Sequence, residues 1–191
     1  MIVFNTPNLV TLSRIVLIPL IIGLYYLPEE WLSYHGKNIA ATAVFILAAL
    51  TDWLDGYLAR RLNQTSAFGA FLDPVADKLI VVGALVALLY LNRVDMLVAL
   101  IIIGREIAIS ALREWMAKVG QARNVAVAFT GKLKTVGQMV AIPLLLYNDP
   151  LFGVLDCQWL GTVLINVAAV LTVVSMLYYL RKALPYASVR S

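Results

Sequence analysis

Four aspartates dominate what this chain could do chemically. Asp52-Trp-Leu-Asp55-Gly56-Tyr-Leu-Ala59-Arg60 is followed, after a gap of eight residues, by Gly69 and then by Asp73-Pro-Val-Ala-Asp77. On a helix, Asp52, Asp55, Gly56 and Ala59 fall at i, i+3, i+4 and i+7 and share one face. Gly69, Asp73 and Asp77 form an i, i+4, i+8 stripe in the same way. A short basic loop between the two segments makes them antiparallel neighbours, so four carboxylates can converge, with small residues beside them leaving room for a ligand. Helix caps or ion pairs to Arg60, Arg61 and Lys78 would account for any single aspartate. All four on two facing stripes need a strongly positive partner. Hard oxygen donors with no histidine or cysteine nearby suit Mg²⁺ or Mn²⁺, not zinc or copper. Pro74 leaves two readings open. Asp73 could cap a helix that starts at Pro74, which would remove Gly69 from the stripe, or the helix could run through.

The elements that must carry these residues are membrane spans. Of 191 residues, 62% are apolar and only 14% charged, against an ordinary apolar share of about 45–50%. Such a composition excludes a disordered chain, a disulfide scaffold and a soluble domain. A bilayer core of about 30 Å takes roughly 20 helical residues. Six stretches qualify: Val10 to Leu27, Ile39 to Leu58, Ala67 to Leu91, Met96 to Met116, Phe129 to Tyr147, and Leu160 to Leu180. Pro19 and Pro143 lie inside two of them and should kink rather than end the helix. With no repeat or linker visible, the expectation is an all-α integral membrane protein of six transmembrane helices, one domain over residues 1–191.

Lysine and arginine set the orientation. One set of connections and the C-terminal tail carry Arg60, Arg61, Arg113, Lys118, Arg123, Lys132, Lys134, Arg181, Lys182 and Arg190. The other carries only Lys37 and Arg93 beside Glu29, Glu30, Asp95, Asp149 and Asp156. Both termini and the acidic cluster are therefore expected on the cytoplasmic side. His35 falls in an outer loop as a solvated residue. Trp31, Trp53, Trp115 and Trp159 lie near span ends, as interfacial belts require. The net charge of +4 is scattered between apolar runs, which argues against a nucleic-acid partner. Cys157 stands alone and cannot form an internal disulfide. Met1 to Val10 shows no basic region or cleavage site, so no removed signal peptide is expected.

The pattern D-x2-D-G-x2-A-R-x8-G-x3-D-x3-D, carried by Asp52, Asp55, Gly56, Ala59, Arg60, Gly69, Asp73 and Asp77, resembles the signature of the CDP-alcohol phosphotransferases, integral membrane enzymes of phospholipid synthesis. The family's six membrane helices agree with the span count. The resemblance implies that Asp52, Asp55 and Asp73 hold the metal that bridges the CDP diphosphate. It implies that Asp77 is the base for the attacking hydroxyl, with contact to a second metal as its other implied role. Gly56, Ala59 and Gly69 would let the nucleotide approach the backbone, and Arg60 would contact phosphate. It also favours a continuous helix through Pro74. Displacing CMP builds negative charge on the leaving phosphate, which a cation and an arginine stabilise.

The acceptor is read from cations on the same side: Gly104-Arg105-Glu106, Ser110-Ala-Leu-Arg113-Glu114, and Gly131-Lys132-Leu-Lys134-Thr135 with Gln138. An unpaired charge in an apolar span is expensive. Pairing with Glu106 or Glu114, or anchoring at the interface, accounts for some of these cations. The rest suit an anionic acceptor such as a phosphorylated polyol, which makes Arg105, Arg113, Lys132 and Lys134 the candidate phosphate ligands. These segments, with the N-terminal Pro7-Asn8-Leu-Val-Thr11-Leu-Ser-Arg14 run, are similar to a bacterial branch of the family. That likeness implies Asn8 and Thr11 near the nucleotide, CDP-diacylglycerol as donor and glycerol 3-phosphate as acceptor. Dimerisation, common in the family, is a further expectation. Serine, inositol phosphate or phosphatidylglycerol are rival acceptors. A divalent-cation transporter is the rival of another class, disfavoured because transporters favour broken helices, midplane sites and repeated halves.

Overall fold

A computed structural model describes residues 6–62, 67–121, 129–151 and 153–186; the side chains of residues 6–8, 52–62, 67, 70 and 129–132 are outside that description. Six helices account for most of it: α1 (Thr6–Tyr26), α2 (Tyr34–Leu62), α3 (Ala67–Tyr90), α4 (Met96–Lys118), α5 (Phe129–Tyr147) and α6 (Cys157–Ala183), the last closed by a 3₁₀ turn, Leu184–Tyr186. Each coincides with an expected span. The largest departure is α2, which begins before Ile39 and runs past Leu58 to 29 residues. Helix α3 crosses Pro74 without a break. The ring removes one intrahelical donor, and Pro74 lies on an exposed face, so Gly69 stays in register with Asp73 and Asp77. Likewise α1 and α5 continue through Pro19 and Pro143.

The bundle is an all-α membrane protein whose polarity is inverted relative to a soluble one. Along α6 the buried face is Gly161, Ala168, Ala169, Thr172 and Ser175 with a few larger residues. Its exposed face is Val163, Val167, Val170, Val174 and Leu177. Small residues inside let backbones approach, and apolar residues outside match lipid. At Gly161 α6 approaches α5 closely: an added Cβ would lie 2.8 Å from Leu145 Cγ and 2.9 Å from its Cδ2. Among the described residues, Leu9–Tyr26 and Cys157–Tyr186 are long and apolar enough to cross a membrane on length and composition alone. The most extensive packing is α5 on α6, with α1 on α2 and α3, α4 on α6, and α2 on α5. Helices from both halves of the chain therefore share one core.

The end opposite the acidic cluster explains its two stray cations. Asn92, at φ 55°, closes α3 in a Schellman turn, with Arg93 N–H donating to Leu88 O and Asn92 N–H to Leu89 O. Arg93 then reaches inward. Its guanidinium donates to Leu145 O (3.1 Å), Leu146 O (2.7 Å), Asn38 Oδ1 (2.8 Å) and Tyr34 Oη (3.1 Å). It thus caps the last carbonyls of α5, where a cation also meets the negative end of the helix dipole. Lys37 donates to Leu27 O at 2.6 Å. Both cations are buried and bound to carbonyls. His35 sits in the first turn of α2, not in a loop, and its Nδ1 lies 2.6 Å from Asp149 Oδ2.

Candidate active site

Thr11 and Arg14 are three residues apart and share one face of α1, which packs on α3. Thr11 Oγ1 donates to Asp73 Oδ1 at 2.6 Å. Arg14 Nη1 donates to Asp77 Oδ1 at 2.5 Å, and its Nη2 lies 3.9 Å from Asp73 Oδ1. The arginine side chain is 1% exposed and the Asp77 side chain 44%. A buried guanidinium is tolerated only when paired, and here the carboxylates of α3 supply the pairing.

Asp77 forms part of the shared wall of two cavities. One, of about 260 Å³, is lined by Arg14, Phe45, Ala48, Ala49, Ile80, Thr135 and Met139 as well as Asp77. The other, of about 540 Å³, runs from Asp77 and Lys78 to Arg105, Glu106, Arg113, Lys134 and Gln138. Glu106 is the hub of this second cavity. Its Oε1 accepts from Arg105 Nη1 at 3.0 Å and from Lys134 Nζ, tying α4 to α5. Arg105 Nη2 also reaches Ser175 Oγ on α6 at 3.4 Å. The Arg113 guanidinium stacks 5.4 Å from the centre of the Tyr179 ring. Arg105 Nε, Arg113 Nε and Gln138 Nε2 are buried and find no acceptor among the described residues. A buried unpaired donor costs about 1–3 kcal/mol, and a surplus of donors around one cavity suits an anion with many acceptor lone pairs.

The structure thus brings together Thr11, Asp73 and Asp77 on one side, and Arg105, Arg113 and Lys134 on the other. Gly69 is buried in α3 on the stripe below Asp73. Thr11, expected near the nucleotide, uses its hydroxyl on Asp73. Asp52, Asp55, Gly56, Ala59 and Arg60 lie in the last turns of α2, Asn8 in the first turn of α1 and Lys132 in α5, and their side chains fall outside the described residues. Among the described residues, no three metal-ligating side chains cluster. The donor chemistry of the pair that is described still fits a hard divalent cation: two carboxylates one turn apart, with no nitrogen or sulfur ligand beside them. Glu114, the other acid weighed as a partner, pairs with Lys118 at 2.9 Å on the exposed surface.

Arg14 and Glu106 were not among the expected site residues. The i, i+3 spacing of Thr11 and Arg14 inside an apolar span was the available signal for the first. For the second it was a carboxylate adjacent to Arg105 near the middle of an apolar span.

Comparison with known proteins bears on this arrangement directly. The family model described as CDP-alcohol phosphatidyltransferase matches residues 4–174. A Pseudomonas fluorescens protein named CDP-diacylglycerol–glycerol-3-phosphate 3-phosphatidyltransferase is 52% identical over 187 residues, covering 95% of this chain and 91% of its own. Proteins of the same name from Escherichia coli K12 and Shigella flexneri serotype 5b are each 48% identical over 182 residues, covering 94% of this chain and 95% of theirs. The matched region contains the acidic stripe, the arginine that holds it and the cation-lined cavity beside it, and on that extent of likeness this chain belongs to the CDP-alcohol phosphatidyltransferase family.

Proposed function

We propose that this protein transfers the phosphatidyl group of CDP-diacylglycerol to glycerol 3-phosphate, giving phosphatidylglycerophosphate and CMP. The observation that carries the reading is the position of Asp77 in the wall shared by the cation-lined cavity and the cavity that holds Arg14. A base at that boundary reaches an acceptor hydroxyl whose phosphate is held by Arg105, Arg113, Lys134 and, from the same helix, Lys132. The hydroxyl oxygen forms the new bond to the phosphatidyl phosphorus, its proton passes to Asp77, and the pyrophosphate bond to CMP breaks. Arg14 donates to Oδ1 of Asp77 and so orients its carboxylate in the cavity wall. Thr11 and Arg14 together fix Asp73.

The family is divalent-metal dependent; we assign the ion as Mg²⁺ or Mn²⁺, held by Asp52, Asp55 and Asp73 with Asp77 adjacent. When bound it would neutralise charge on the diphosphate and the leaving CMP. Asn8, Gly56, Ala59, Arg60 and Gly69 would contact the CDP moiety. The whole chain would act as one membrane domain in a bacterial cytoplasmic membrane, with termini and site facing the cytoplasm and the donor's acyl chains remaining in lipid.

The test is CMP release by purified protein in detergent with Mg²⁺, CDP-diacylglycerol and each acceptor in turn. Glycerol 3-phosphate should be consumed in preference to serine, inositol phosphate or phosphatidylglycerol. Asp77→Asn should lower turnover by about 10²–10⁴-fold, the usual worth of a general base, when assayed below its own melting midpoint, which falls with the loss of the ion pair to Arg14. Near-normal turnover of that variant would remove the base assignment.

A further inference from the structure

We infer that Glu106 is a positioning residue that limits the positive charge of the acceptor cavity and draws Arg105 and Lys134 together, so that the phosphate binds and still leaves. The inference rests on the acceptor reading above. Among the described residues that line the cavity, Lys78, Arg105, Arg113 and Lys134 are cations and Asp77 and Glu106 are carboxylates. Positive charge is in excess there, as an acceptor phosphate of about −1.5 to −2 near pH 7 requires, and Glu106 reduces that excess by one.

Geometry gives Glu106 a second part in the same role. One carboxylate oxygen accepts from both Arg105 and Lys134, which stand on different helices. Without it those two cations repel one another and turn outward; with it they converge on the cavity. The product makes the charge balance consequential. Phosphatidylglycerophosphate retains the acceptor's terminal phosphate, so whatever holds the acceptor also holds the product. One more uncompensated positive charge would strengthen both.

Glu106→Gln tests this, because the amide keeps the shape and removes the charge. Inorganic phosphate is the probe, measured two ways: by calorimetry on the solubilised protein, and as a competitor of glycerol 3-phosphate in CMP release. Adding one uncompensated charge at contact range should tighten phosphate binding roughly tenfold. It should lower KM and kcat together, and convert CMP release into a burst followed by slow turnover. Glu106→Asp, which keeps the charge, should hold phosphate affinity within about twofold of the native protein by the same Coulomb argument. The double variant Glu106→Gln with Lys134→Met restores the net charge and should remove the burst. A role confined to packing predicts no tightening in the Gln variant and no rescue in the double variant, and either result overturns the inference. Should Glu106→Gln not fold, a fivefold or larger change in the Asp variant overturns it. If the native protein consumes no glycerol 3-phosphate, the acceptor reading fails; if it does and phosphate affinity is indifferent to Glu106, only this inference fails.

Discussion

Replacing Arg14 separates the two functions its geometry combines. The guanidinium donates to Asp77 at 2.5 Å and approaches Asp73 at 3.9 Å, from a position that solvent does not reach. A hydrogen bond to a charged partner contributes about 1.5–3 kcal/mol. The carboxylates are nearly half exposed (44% for Asp77, 49% for Asp73), so water recovers part of what they lose, and Arg14→Ala should cost about 2–3 kcal/mol of stability on that scale. Turnover should fall further than stability suggests, since a freed Asp77 rotates away from the acceptor. If half to all of the hydrogen-bond energy is spent on orientation, at 1.36 kcal/mol per decade the loss in kcat is roughly 10–100-fold. Arg14→Lys retains one donor to Asp77 and gives up the fork toward Asp73, so its kcat should lie between the two. The assay is CMP release at saturating substrates, below the melting midpoint of each variant, with the KM for glycerol 3-phosphate measured alongside. That KM should hardly move, because Arg14 does not line the cation-rich cavity. An Arg14→Ala enzyme within threefold of native kcat would refute the orientation argument. So would a change confined to KM.

Two further outcomes concern the scaffold. Arg93→Ala removes four hydrogen bonds and strands the Leu145 and Leu146 carbonyls; the bundle should lose roughly 3 kcal/mol in detergent unfolding, while the folded fraction keeps its turnover. Gly161→Ala forces a Cβ against Leu145 at 2.8 Å and should cost about 1–3 kcal/mol. Gly104→Ala, with nothing within 4 Å, serves as its control and should not lower the melting midpoint.

The spans were legible because lipid imposes one requirement on every outward residue, and a run of about 20 apolar residues meets it whatever the neighbours. The acidic stripe was legible for the opposite reason, since charge in such a run must have a purpose. Helix continuity at Pro74 was not decidable from periodicity, because both a capped start and a kinked helix satisfy the same spacing. It is fixed by the packing of α3 on α1. Arg93 looked like an exception to the charge bias, and only the third dimension shows the α5 carbonyls waiting for it. Arg14 was passed over because a lone cation in an apolar helix carries no sign of which distant carboxylate it meets, 63 residues along the chain. Glu106 was weighed as a neutraliser of Arg105; that it also holds Lys134 depends on the meeting of α4 and α5, which no local pattern encodes.

The pairing of α1 with α3 also bears on how the protein is made. During synthesis α1 enters the membrane before α3. An aspartate at the centre of an inserting helix costs about 2.5–3.5 kcal/mol and less toward its end, and α3 brings two of them in its N-terminal half. Arg14 is by then already in the bilayer, itself in need of an anion. The arrival of α3 satisfies both, so the contact that later orients the chemistry first serves to draw a reluctant helix into place. Biogenesis and catalysis then make demands on the same residue. A variant that spares one while damaging the other would show itself as a difference between the amount of protein inserted and the turnover of each inserted molecule.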